Sequence, residues 1–225
     1  MATNLDLEEQ EQLAELQHFW NQWGNLITWA LIVVLAAYAA WSGWQYWGRQ
    51  QAARAAVLYD EIELGAQAGD VARVERVLAD MKDKYGRTTY AAQGALLAAK
   101  LLSDKDKAGE AQAALAWVAD KAPAEGLKAI ARLRLASLQT GAKNYDEALK
   151  TLSAAFPAQF AALAADRRGD VLLLQGKRAE AAVEFGKAYQ GLSVDAGGDY
   201  RRLIGVKLTT LGIDPDAGAR TGAAS

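Results

Sequence analysis

The 225 residues carry 25 Lys and Arg against 27 Asp and Glu, a net charge of −2, with one His and no Cys. A near-neutral chain lacking a clustered basic stretch is not built for nucleic acid, and a chain without cysteine has no disulfides, thiol chemistry or thiolate metal sites. The charges are unevenly placed. Residues 1–48 hold five acids (Asp6, Glu8, Glu9, Glu11, Glu15) and no base, so the remainder, with 25 bases and 22 acids, is net +3.

Residues 1–24 read as a short acidic tail. Leu5, Leu13, Leu16, Trp20 and Trp23 fall near one helical face, but the expectation is a solvated tail that becomes ordered only near a membrane. Residues 25–47 follow as a transmembrane helix. No Lys, Arg, Asp or Glu occurs between Glu15 and Arg49, and the centre runs Ala30-Leu31-Ile32-Val33-Val34-Leu35-Ala36-Ala37. Such a charge-free apolar run matches a bilayer-spanning helix. Six of the seven Trp lie in or beside it. Trp20, Trp23, Trp41, Trp44 and Trp47 are the candidate interface anchors, because an indole ring is apolar while its N–H needs water. Trp23 to Trp44 spans about 31 Å at about 1.5 Å per residue, close to the thickness of a hydrocarbon core. A cleaved signal peptide starts with a basic segment that residues 1–24 lack.

Residues 48–211 read as a helical repeat domain. The segment after Trp47 has strong helix propensity and no breaker, and no stretch alternates with period two. Val74, Ala111, Ala148 and Ala181 recur at spacings of 37, 37 and 33 residues, each followed four residues later by Leu78, Leu115, Leu152 or Phe185. Positions at i, i+4 and i+7 make one helical face that must be buried on a neighbour. A second helix precedes each of these, at about 52–67, 88–103, 126–140 and 158–175. Twelve residues before the last three repeat positions stand the small residues Ala99, Ala136 and Gly169, which allow close helix crossing. Turn chemistry marks Gly69-Asp70, Lys143-Asn144 and Gly176-Lys177, with Pro123 and Pro157 ending helices. This is the pattern of tetratricopeptide repeats; the third and fourth units fit it best, and the first two are degenerate, with Val74 in place of Ala and Ile62 where a small residue belongs. Residues 199–211 read as a capping helix and 212–225 as a disordered tail. The predicted fold is all-α: one N-terminal transmembrane helix followed by a tetratricopeptide-repeat-like solenoid of about four helix pairs.

His18 stands alone in the tail. Asp104 and Asp106 alternate with Lys105 and Lys107 as a solvated turn, and Asp166-Arg167-Arg168-Gly169-Asp170 reads first as a local ion-pair network. No nucleophile elbow or phosphate-binding glycine loop occurs. No catalytic, cofactor or metal residues are expected, and no small-molecule substrate. If the first helices of each pair line a concave face, matching register puts Gln93, Leu96, Lys100, Leu133, Ser137, Asp166 and Asp170 towards a groove suited to extended polypeptide.

The short acidic N-terminus, the span ending in WSGWQYW, and the repeat segments GLKAIARLRLASLQ and ALAADRRGDVLLLQGKRAEA together resemble the YfgM-type ancillary subunit of the bacterial SecYEG translocon. The resemblance implies a single-pass inner-membrane protein with a cytoplasmic N-terminus and periplasmic repeats. It also implies a non-enzymatic adaptor that works beside SecYEG and a PpiD-type periplasmic chaperone, assisting secreted or membrane proteins. The count of Lys and Arg near the span runs the other way, with none before it and Arg49 and Arg54 after it. The alternative reading is therefore a cytoplasmic-facing, membrane-tethered scaffold or regulator of a signalling protein.

Overall fold

The computed structural model describes residues 7–192 and 194–215, with side chains from 17–192 and 198–215. Residues 1–6 and 216–225, which hold the start of the acidic tail and most of the C-terminal one, lie outside that range. Among the described residues every regular element is a helix: α1 (Leu7–Ala68), α2 (Val71–Tyr85), α3 (Thr89–Asp104), α4 (Ala108–Lys121), α5 (Glu125–Gly141), α6 (Tyr145–Leu152), α7 (Ala158–Leu174), α8 (Arg178–Gly191) and α9 (Val194–Thr210).

The chain divides into two compact units, residues 1–51 and 52–225. In the first, α1 is already helical at Leu7. Its apolar stretch is long enough to cross a bilayer, and none of it is buried within the protein. Leu31, Ile32, Val33, Val34, Leu35 and all five anchor tryptophans are exposed. A helix with apolar residues all round and no protein cover has lipid as its fitting solvent. It anchors the chain in a membrane. Local pairings suit that setting: the Thr28 hydroxyl donates 2.7 Å to the Gly24 carbonyl of its own helix, and the rings of Trp44 and Trp47 lie 6.3 Å apart.

The second unit is a stack of helix pairs. The last part of α1 meets α2 where Gly65 lies against Val74 and Arg73 donates to Glu61 at 3.3 Å; α3 pairs with α4, α5 with α6, and α7 with α8, and α9 follows. The repeat spacing is written in the backbone. Gly69, Asp106, Lys143, Gly176 and Gly212 all have positive φ, between 60° and 83°, at spacings of 37, 37, 33 and 36 residues. Each closes a first helix in the same way: the residue after it donates to the carbonyl five positions back, as Asp70 to Gly65 (2.9 Å), Lys107 to Leu102 (2.8 Å), Asn144 to Gln139 (2.8 Å), Lys177 to Leu172 (2.9 Å) and Ile213 to Leu208 (3.0 Å). This is the Schellman stop, in which a left-handed residue turns the orphan carbonyls of the helix end back onto the chain. Beyond each of the first four, the chain starts the second helix at once; Asp70 caps α2 by accepting from the Arg73 N–H at 3.1 Å.

The repeat positions read from the sequence are buried in these pairs: Val74, Ala111, Ala148 and Ala181 are fully buried, with Leu78, Leu115, Leu152 and Phe185 beside them. Ala and Gly at the crossings let helix backbones approach. In the degenerate first unit the approach moves one turn along, from Ile62 to Gly65, where an added Cβ would come within 2.8 Å of Val74. Two details differ from expectation. Helix α9 begins at Val194, five residues before the expected capping helix, and Pro157 serves as the N-cap residue of α7 after α6 has already ended at Leu152.

Candidate partner-binding groove

The five equivalent turns put the first helices in common register. Counting back seven residues from each turn gives Ile62, Ala99, Ala136, Gly169 and Gly205. Gly205 belongs to α9, where an added Cβ would lie 3.4 Å from the Tyr189 ring. Helix α9 is thus a fifth first helix, and the sequence signal for it was the recurrence of Gly169 and Gly176 at Gly205 and Gly212.

Three cavities run across successive first helices. One of about 300 Å³ lies between α1 and α3 and is lined by Tyr59, Glu63, Gln67, Lys100 and Asp104, among others. The next, about 340 Å³, lies between α3 and α5, with Leu96, Leu115 and Leu138 as apolar lining and Lys100, Arg134 and Ser137 as polar lining. The third, about 190 Å³, lies between α5 and α7 and is lined by Ser137, Thr140, Arg167 and Asp170. Lys100 belongs to the first two and Ser137 to the last two, so the cavities adjoin in a row that is the candidate groove.

Of the residues expected there, Leu96, Lys100, Ser137 and Asp170 line the groove. Ser137 donates 3.0 Å to the Leu133 carbonyl of its own helix. Gln93 is exposed, but one turn before Leu96 and outside all three cavities. Leu133 is buried with Ala136, Ala148 and Leu152 between α5, α6 and α7, which makes it a packing residue. Asp166 also needs correction. It is 1% exposed, accepting from the Tyr200 hydroxyl at 2.7 Å and from Lys207 Nζ at 2.7 Å. Lys207 also reaches Asp170 at 2.6 Å and lies 5.0 Å from the Phe185 ring centre. Helix α9 therefore occupies the carboxylate that register alone assigns to the groove. Burial, followed by the bond to Asp166, raises the Tyr200 phenol well above its ordinary value, so it stays a donor. Register also omitted Arg134, Arg167, Tyr59 and Glu63; the first two are one residue after Leu133 and Asp166 in each helix.

Other polar contacts hold the stack rather than line the groove. Arg168 donates 2.7 Å to Glu184 and 2.9 Å to the Leu152 carbonyl at the end of α6. Arg132 donates 2.8 Å to the Ala155 carbonyl. Burial opposes ionisation of Glu184, but its bonds to Lys187 and Arg168 outweigh that and leave its carboxyl below the ordinary value. Burial lowers the Lys82 ammonium, which lies 5.2 Å from the Trp117 ring centre. Among the described residues no cluster of His, Asp and Glu is arranged to hold a metal ion. What the groove offers is shape, apolar surface and fixed charge.

Residues 17–213 match the family described as tetratricopeptide repeat-like domain. The chain is 30% identical over 208 residues to the ancillary SecYEG translocon subunit of Neisseria gonorrhoeae, covering 91% of this chain and 98% of that protein. It is 31% identical over 211 residues to the protein of the same description from Escherichia coli K12, covering 91% and 97%. The Haemophilus influenzae counterpart is 27% identical over 184 residues, covering 82% and 90%.

Proposed function

We propose a function from one premise: the chain belongs to the YfgM-type ancillary SecYEG translocon subunit family, which carries a tetratricopeptide repeat-like domain. On this reading it is a non-enzymatic adaptor, held in the bacterial inner membrane by α1 with the tryptophans at the two interfaces. Its N-terminus is cytoplasmic and its repeats, residues 48–211, are periplasmic. It associates with SecYEG and with a PpiD-type periplasmic chaperone, and helps secreted or membrane proteins as they emerge. The observation that carries the reading is that the family likeness runs through span and repeats together, over residues 17–213. Tethering supplies the mechanism. A groove of modest affinity gains effect when an anchor holds it at high effective concentration beside its partner.

Arg49 and Arg54, on the repeat side of the span, favour a second reading, a cytoplasmic-facing scaffold. One experiment separates the two. The chain has no cysteine, so Ser225→Cys gives a single labelling site. A maleimide that passes the outer membrane but not the inner is added to intact cells. Labelling without lysis, together with channel subunits co-purifying after mild detergent extraction, supports the translocon adaptor. Labelling only after lysis of cells that hold the inserted protein puts the repeats in the cytoplasm and withdraws it.

A further inference from the structure

The central cavity has a chemistry of its own, and it bears on what the groove binds. Leu96 and Leu115, both buried in the stack, and Leu138 form its apolar wall. At its rim stand two exposed cations, Lys100 on α3 and Arg134 on α5. Among the described residues neither has a carboxylate within ion-pair distance, whereas Asp170, further along the groove, is bonded to Lys207. Asp104 is the one acid lining the cavity, so its charged rim is two cations to one anion.

We propose that this cavity seats an apolar side chain of an extended polypeptide whose adjacent acidic residue is held between Lys100 and Arg134. The proposal rests on the reading of the concave face as a polypeptide site and adds the chemical class of the segment. Three features favour it. Neighbouring packed helices are about 8–10 Å apart and an extended chain advances about 3.3 Å per residue. Every third residue thus meets the next cavity, and backbone direction is set by the row of first helices. The flanking cavities would disfavour a second acid: in the first, Glu63 and Asp104 outnumber Lys100, and in the third Arg167 already faces Asp170 at 3.4 Å. The acid is therefore steered to the centre. Finally, an inorganic anion has nothing to place against Leu96, Leu115 and Leu138, so a carboxylate attached to an apolar chain fits better than a bare phosphate.

The test uses the full chain in lipid nanodiscs and a short fluorescent Gly/Ser peptide carrying one Leu-Asp-Leu, compared with its Leu-Asn-Leu twin by anisotropy. The acidic peptide is expected to bind about tenfold more tightly, the scale of a charge-assisted hydrogen bond. In Lys100→Gln/Arg134→Gln that preference should fall to within about twofold, with the helical melt unchanged because both side chains are exposed. Equal binding of the twins, binding of neither, or a preference that survives the double substitution overturns the proposal. Co-purification of channel subunits by the unaltered chain is scored separately. If it persists while the peptide preference fails, the groove assignment alone falls; if it is lost, the adaptor reading falls.

Discussion

Gly169 of α7 lies against the ring of Phe185 of α8, so closely that a Cβ added at Gly169 would stand 2.5 Å from Cε1. Phe185 is fully buried and has no room to retreat. Gly169→Ala gains helix propensity of about 1 kcal/mol but forces overpacking of about 1–3 kcal/mol or more. The net expectation is a loss of about 1–2 kcal/mol in urea unfolding. Combining it with Phe185→Leu, the side-chain size used by the pairs Ala99/Leu115 and Ala136/Leu152, should recover part of the loss. A double-mutant cycle showing no coupling would mean that the two groups do not oppose each other.

Lys143 takes the left-handed position with φ of 63°, a conformation that costs an L-residue about 1 kcal/mol and glycine almost nothing. Lys143→Gly should raise Tm by about 2–4 °C. Gly176→Ala, at φ of 78° with open space around its Cβ, should lower it by a similar amount through backbone strain alone. Circular dichroism melts of the two variants check both signs.

Removing the Asp166 carboxylate leaves Lys207 half-paired under α9. Asp166→Ala should cost about 2–3 kcal/mol, the scale of hydrogen bonds to a charged group, because Asp170 still pairs Lys207, and the loss should be local. Hydrogen exchange is expected to speed up in α9 and the end of α7 well before α3 and α4. Uniform acceleration through the repeats would show that α9 is not held by this contact.

Glu184 gives the acid response. Its folded carboxyl titrates below the ordinary glutamate value, so its contribution is fully present above the unfolded value and is lost as pH falls through the folded one. The stability gap between the parent chain and Glu184→Gln should stay constant from neutral pH down to the ordinary glutamate range and narrow below it. A gap that widens on acidification would reverse the sign.

Much of this was legible in the chain itself because two of its signals are one-dimensional. The span shows as an absence of charge between Glu15 and Arg49, and the repeats as side chains returning at fixed spacing. Leu96, Lys100, Ser137 and Asp170 could be placed from register because a helix face depends only on position along the helix. Asp166 could not. Its partners Tyr200 and Lys207 are 34 and 41 residues downstream, and nothing local to Asp166 announces them. Leu133 shares the register of Leu96, yet contacts with α6 and α7 turn it into core, a decision made by neighbouring helices. Gln93 shows the remaining limit: the row of cavities begins one turn further along α3 than the helical face it shares with Leu96.

The Schellman stop at Gly212 gives α9 the same ending as the four first helices before it. The domain is thus cut from interchangeable cassettes whose splice points coincide with those five turns. Related chains that differ in length should gain or lose residues there, a whole helix pair at a time. An array lengthened by copying residues 107–143 in place would acquire one more cavity, and a longer footprint on whatever it holds, with a single new pairing of α5 with the copied α4.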